Sequence, residues 1–231
     1  MAIERDLIMS LLKLTKDGPV SVESVNKDAR IASGIVKKLL EKLQNEDLIY
    51  LHGGAVEASG DNRVRLAVRA ASLGTDVENI SAFLRWQEFE DIAALALEKN
   101  DYVVAKNVRF KHAERRREID VVGCRKPLVL CVDCKHWHHG VKPSALAKIV
   151  KAQEERACAL ANTLPSAELQ VECVKWQKAK FVPVILSLIP SSFKFYDNVP
   201  VVPVLQLQDF LTQLPAHVEL LKYFVKEFSH L

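Results

Sequence analysis

Asp120 and Asp133 each interrupt a hydrophobic run. The first run is Glu118-Ile119-Asp120-Val121-Val122-Gly123-Cys124, and the second is Leu128-Val129-Leu130-Cys131-Val132-Asp133-Cys134-Lys135-His136-Trp137. Both read as β-strands, separated by the turn signal Arg125-Lys126-Pro127. A carboxylate buried among β-branched residues is costly unless it is paired or coordinates a metal, so each acid needs a partner. Strand alternation puts Asp133 and Lys135 on one face, with Cys134 and His136 on the other. If a hairpin pairs Cys124 with Val129, Asp120 stands opposite Asp133, with Cβ atoms about 4.5–5.5 Å apart. Two carboxylates that close repel unless a cation lies between them, and Lys135 projects into the same site. A hard divalent ion suits this pattern: Mg²⁺, with Mn²⁺ as substitute, held by the acids and otherwise by water and phosphate oxygens. An exposed Asp133–Lys135 salt bridge would be the bland alternative, but the preceding Leu-Val-Leu-Cys-Val run argues for a central strand.

Cys131-x-x-Cys134, with His136, His138 and His139 close by, has the look of a zinc site. On a strand, however, the two sulfurs point to opposite faces, which rejects it.

Elements of three kinds must hold these residues. An almost wholly apolar helix runs through Phe89-Glu90-Asp91-Ile92-Ala93-Ala94-Leu95-Ala96-Leu97 before the strands, and Lys148 to Ala161 forms a helix after them. Tyr102 to Ala105 and Asn107 to Phe110 read as a strand leading into a very basic turn at Arg115-Arg116-Arg117. Phe181 to Ile189 is a buried strand, Val201 to Leu205 another, and Leu207 to Leu214 a short helix. Leu220, Leu221, Phe224, Val225 and Phe228 suggest a terminal amphipathic helix that caps the core or makes a homodimer contact.

Asp120, followed by Asp133-Cys134-Lys135 on the next strand and preceded by a helix with Phe89-Glu90, resembles the PD-(D/E)XK restriction-endonuclease-like superfamily. Within it the pattern is most similar to the branch of type IV restriction enzymes and archaeal Holliday-junction resolvases. The resemblance covers roughly Arg85 to Leu214. It implies that Asp120 and Asp133 bind the metal and that Lys135 positions or deprotonates the attacking water. Glu90 would help to hold the metal or its waters, and Gln153 on the following helix would border the site. Helical periodicity alone leaves Glu88 and Glu90 as alternatives, and the resemblance selects Glu90. The activity implied is metal-dependent DNA endonuclease, in restriction, repair or recombination. The rival reading is a DNA-binding transcriptional regulator whose nuclease-like domain is non-catalytic.

The N-terminal third has its own pattern. Leu7, Ile8, Leu11, Leu12 and Leu14 have helical spacing, a second helix follows Ser21, and a third opened by Ser33 repeats Val36, Leu39, Leu40 and Leu43. Lys37, Lys38 and Lys42 lie off that third stripe. Leu48 to Leu51 and Ala55 to Ala58 flank the glycine turn His52-Gly53-Gly54. Three helices and a hairpin resemble the winged helix-turn-helix DNA-binding module, with the third helix as reader. A helix from Asn62 to Leu73 ends at Gly74, and Thr75-x-x-Glu78 can cap the next. The expected organisation is therefore a winged-helix domain over residues 1–74 and a nuclease domain over 75–231. The second is an α/β fold with a central mixed sheet flanked by helices.

Composition sets outer limits. The 231 residues carry a net charge of +3 with 49% hydrophobic side chains, values of a globular chain. That charge is uneven: residues 106–151 hold 12 Lys and Arg against 4 Asp and Glu, as a surface facing a polyanion requires. DNA is the expected partner, with Arg115, Arg116, Arg117 and His138 on its phosphates. No apolar run approaches the length of a membrane span. The charged start Glu4-Arg5-Asp6 argues against export, and the five cysteines, an odd number, argue against a disulfide framework. Both point to the cytoplasm.

Overall fold

A computed structural model of the chain describes residues 2–135, 137, 141–188 and 191–228. They form two compact units, residues 1–91 and 92–231. The division falls later than the Gly74–Thr75 joint expected from the glycine stop and the capping pattern. Among the described residues no helix is long and apolar enough to cross a membrane.

In the first unit, α1 (Ala2–Leu14) buries Leu7, Ile8, Leu11 and Leu12. The short strand β1 (Val20–Ser21) precedes α2 (Val22–Ala29), whose N-terminus is capped by Ser21 Oγ accepting the Ser24 N–H at 3.0 Å. Helix α3 (Ser33–Asn45) buries Val36, Leu40 and Leu43 and leaves Lys37, Lys38 and Lys42 exposed. Strands β2 (Tyr50–His52) and β3 (Ala55–Glu57) are joined by Gly53 and Gly54, whose φ angles of 58° and 80° belong to a two-residue turn that glycine adopts without strain. Strand β1 pairs with β3, giving a three-stranded sheet in the order β1-β3-β2. Helices α4 (Gly60–Ser72), α5 (Val77–Ser81) and α6 (Trp86–Glu98) follow, and α6 runs on into the second unit.

The second unit is built on a mixed sheet. Its strands are β4 (Val103–His112), β5 (Arg115–Arg125), β6 (Leu128–Lys135), β7 (Lys178–Ser187), β8 (Phe195–Tyr196), β9 (Val199–Pro203) and β10 (Phe224–Glu227). The order is β4-β5-β6-β7-β9-β8, with β10 also paired to β7. Strands β4 to β6 are antiparallel neighbours, whereas β6 runs parallel to β7 and β7 parallel to β9. Helix α7 (Pro143–Thr163) makes the crossover from β6 to β7, and α8 (Leu207–His217) follows β9. Ala157, Leu160 and Ala161 of α7 share a core with Val122, Cys124, Val129, Cys131 and Phe181. Gly123 faces the other side, where an added Cβ would lie 3.1 Å from a Leu97 methyl.

Two expectations fail here. Arg115, Arg116 and Arg117 are in β5, not in a turn. The turn is Ala113-Glu114, with φ angles of 46° and 62°, a conformation these residue types do not advertise. The terminal helix does not form either. Phe224 to Glu227 make β10, antiparallel to the start of β7 with Phe224 opposite Phe181 and Glu227 opposite Lys178. A short apolar run fits either period, and the stretch of β7 not taken by β9 supplies a ladder that decides for strand. No homodimer contact can therefore be read from an amphipathic helix at this end.

Candidate active site

The turn at Lys126-Pro127 sets the register that brings the two acids together. Cys124 opposes Val129 and Val121 opposes Val132, as the sequence predicts, and the paired ladder ends one step before Asp120 and Asp133. Strand β6 is central, pairing with β5 on one side and with β7 on the other, and Asp133 is 2% exposed.

Two cations divide its carboxylate. Lys135 Nζ lies 2.7 Å from Oδ2, and Arg156 Nη2 lies 3.0 Å from Oδ1. The lysine contact is an ion pair only, for Oδ2 accepts no hydrogen bond among the described residues. Asp120, half-buried, accepts the Cys134 N–H on its own Oδ2 at 2.7 Å. Burial pushes the Asp120 carboxyl above the usual carboxylate range. The Cys134 hydrogen bond opposes that rise, the charge of Asp133 adds to it, and Lys135 and Arg156 offset it in part. Gln153, fully buried on α7, donates from Nε2 to the Cys131 carbonyl at 2.6 Å, and its Oε1 has no hydrogen-bond partner among the described residues.

The structure thus brings Asp120, Asp133 and Lys135 together and adds Arg156, which sequence reasoning missed. Its signal was its place three residues after Gln153, on the same side of one helix. Glu118 shares sequence parity with Asp120 but turns away, pairing with Arg109 at 3.1 Å. Ile119, Val122 and Cys124 of β5 and Ala105, Val108 and Phe110 of β4 all belong to the core beneath α7. Strict alternation therefore breaks near Asp120 in β5 and at Asn107 in β4, where φ is 52°.

Glu88 and Glu90, the alternatives left open by periodicity, are both buried in the first unit. Glu88 is committed to Arg63, whose Nε lies 2.7 Å from Glu88 Oε1. The same guanidinium donates to the Leu12 carbonyl, Thr15 Oγ1 and the Phe83 carbonyl, tying α1 and the loop before α6 to α4. Sequence reasoning missed this residue too, although Arg63 stands on the stripe it forms with Leu66, Ala67 and Ala70. Of the proposed phosphate contacts, Arg115 and Arg116 are exposed, and Arg117 pairs with Glu155 at 3.4 Å. Lys42 pairs with Glu4 at 3.0 Å, leaving Lys37 and Lys38 as the outward-facing cations of α3. His138 lies outside the described residues.

A restriction endonuclease family model matches residues 81–187, the span from the end of α5 through β7. The chain carries a restriction-endonuclease-like domain. Every residue of the acid-rich site on β5, β6 and α7 falls inside it. An uncharacterized protein of Archaeoglobus fulgidus is 32% identical over 131 residues, which are 57% of this chain and 92% of that protein, and the two belong to one family. Among solved structures, AF1548, a protein of unknown function, is 17% identical with a TM-score of 0.30, over 44% of this chain and 46% of its own. Protein VC1899 from Vibrio cholerae is 14% identical with a TM-score of 0.41, over 95% of this chain and 53% of its own. The chain therefore spans about half the length of each of these two structures.

Among the described residues no group of three or more His, Cys, Asp and Glu side chains converges on one point. A cation at this domain's site would rest on two carboxylates. That donor set fits a hard divalent ion: the oxygens are carboxylates, and among the described residues Asp133 Oδ2 accepts no hydrogen bond and Gln153 Oε1 is unpartnered. It does not fit zinc, since Cys131 is fully buried in the core beneath α7.

Proposed function

We propose that the chain is a metal-dependent DNA endonuclease, with Asp120 and Asp133 holding Mg²⁺ and Lys135 acting beside the scissile phosphate. The observation that carries this reading is the Asp120, Asp133 and Lys135 cluster on adjacent strands inside the restriction-endonuclease-like domain. The cation, when bound, supplies Lewis acidity at the phosphate. Asp133 orients it from a rigid central strand. Lys135, released from Asp133 Oδ2, places an ammonium next to the charge that develops on the phosphate oxygens or orients the attacking water. Gln153 borders the site from α7. The branch proposed is that of type IV restriction enzymes and Holliday-junction resolvases.

The first unit is proposed as a winged helix-turn-helix. Its support is the element order, three helices with a short strand between the first two, then a hairpin that this strand joins. Lys37 and Lys38 on α3 are the residues proposed to touch DNA. Replacing both by Ala should lower the slope of log K against log salt by about 0.9 for each phosphate that the pair neutralises, measured by fluorescence anisotropy on a duplex. Lys42→Ala should change it less, because its ammonium is already held by Glu4. Unchanged slopes for the pair would mean that α3 does not read DNA.

Arg115 and Arg116, exposed on β5, are proposed to hold the backbone of the substrate. Their double replacement by Ala should weaken binding, and saturating protein should restore most of the single-turnover rate. A rate that stays low at saturation would move one of them into the chemical step.

One observation favours a second reading. Lys135 and Arg156 already neutralise Asp133, so the cluster is balanced without a metal, as a DNA-binding regulator with a non-catalytic domain would tolerate. Incubating the protein with Mg²⁺ and a panel of labelled duplexes, flaps and four-way junctions separates the two. Cleavage that EDTA abolishes is expected. Binding with no cleavage of any substrate would favour the regulator.

A further inference from the structure

Arg156 and Gln153 stand three residues apart on α7, and both anchor to β6. Gln153 Nε2 donates to the carbonyl of Cys131 at 2.6 Å, and Arg156 Nη2 meets Asp133 Oδ1 at 3.0 Å. Residues 131 and 133 share one face of the strand, so two side chains of one helix fix two consecutive positions of that face. Among the described residues each contact occupies one polar atom and leaves another without a hydrogen bond: Gln153 Oε1 accepts none, and Asp133 Oδ2 meets only the ammonium of Lys135.

We propose that Arg156 is a positioning residue that divides the work of the Asp133 carboxylate, holding Oδ1 so that Oδ2 faces a divalent cation. An aspartate carboxylate turns about its Cα–Cβ and Cβ–Cγ bonds, and without that anchor it would swing toward Lys135 or chelate with both oxygens. The ammonium of Lys135 occupies the cation-facing side of Asp133 and withdraws when the cation arrives, whereas Arg156 stays. The inference rests on the metal-centre reading given above and extends it to a residue on another element.

Simple electrostatics gives the opposite sign, which makes the proposal testable. Removing a positive charge 3.0 Å from a ligand should tighten cation binding if charge were all that mattered. Loss of an outer partner that orients a ligand weakens binding by about 10–100-fold. Mn²⁺ binding to the full chain is measured by titration calorimetry for wild type, Arg156→Met, Arg156→Lys and Asp133→Asn, with thermal melts in parallel. Arg156→Met should bind about 10–100-fold more weakly. Arg156→Lys, which keeps the charge but not the planar fork, should fall between it and wild type. Unchanged or tighter binding by Arg156→Met overturns the proposal and leaves the metal centre standing. If Arg156→Met does not fold, Arg156→Lys decides: weaker binding upholds the proposal, and wild-type affinity overturns it. A wild type that binds no Mn²⁺, or Asp133→Asn that binds as wild type does, overturns the metal centre and this inference together.

Discussion

Asp133→Asn should abolish metal-dependent cleavage while leaving DNA binding intact. The substitution keeps the shape of the side chain and removes one of the two negative charges in the cluster. Its effect on cation affinity should exceed the about 10–100-fold expected for loss of an outer partner, since here a ligand itself is removed. DNA binding in metal-free buffer should hold or tighten, because two acids repel an incoming phosphate until a cation neutralises them. Lys135→Ala should part from it, binding the cation at least as well as wild type once the competing ammonium is gone. Its single-turnover rate should fall by about 10²–10³-fold, the scale of losing one group that stabilises developing charge. The measurement is single-turnover cleavage of a labelled duplex and a four-way junction against Mg²⁺ concentration, with binding followed in Ca²⁺. Equal cleavage by wild type and Asp133→Asn would trace the activity to a contaminant and end the assignment of this site.

The largest loss of stability is expected in the first unit, at Arg63. Its side chain is wholly buried and its donors are spent on Glu88, Leu12, Thr15 and Phe83. Arg63→Ala leaves the Glu88 carboxylate, itself 3% exposed, to the backbone N–H and guanidinium of Arg85, and takes a donor from the Leu12 and Phe83 carbonyls. Breaking a buried pair from one side costs about 3–5 kcal/mol, a large share of the about 5–15 kcal/mol that holds a typical domain. Urea titration followed by circular dichroism should show the drop, with Lys37→Ala as an exposed control on the same unit. A change under about 1 kcal/mol would mean that water enters and takes over the arginine's hydrogen bonds.

Much of the site was legible because it depends on local rules. The Lys126-Pro127 turn and the hydrophobic runs on either side dictated the register of β5 and β6, and from it the meeting of Asp120 with Asp133. The helices of the first unit and its glycine hairpin followed from spacing and turn chemistry in the same way. What stayed hidden depends on tertiary contacts. Glu118 shares parity with Asp120, and only the break in alternation opposite Asn107 turns it toward Arg109. Nothing local but its spacing from Gln153 marks Arg156, whose role comes from its contact with Asp133 across from α7 to β6. The sequence sets Arg63 apart only by the stripe it shares with Leu66 and Ala67, and what it bonds is settled by contacts from other elements. Phe224 to Glu227 fitted a helix and a strand equally well, and the open part of β7 made the choice.

The two-residue turn between β5 and β6 has a further consequence, for the order of costs in assembling the centre. Closing a short turn costs little chain entropy, and the expense grows slowly but steadily with the length of the segment enclosed. Asp120 and Asp133 are brought together by a closure of only two residues. Their anchors Gln153 and Arg156 arrive with the long crossover that separates Lys135 from Lys178. The pair of acids and the lysine are thus a local property of one hairpin, and their discipline by α7 is a non-local one. A hairpin can carry such acids into many sequences at small topological expense, whereas holding one oxygen still requires the whole parallel layer.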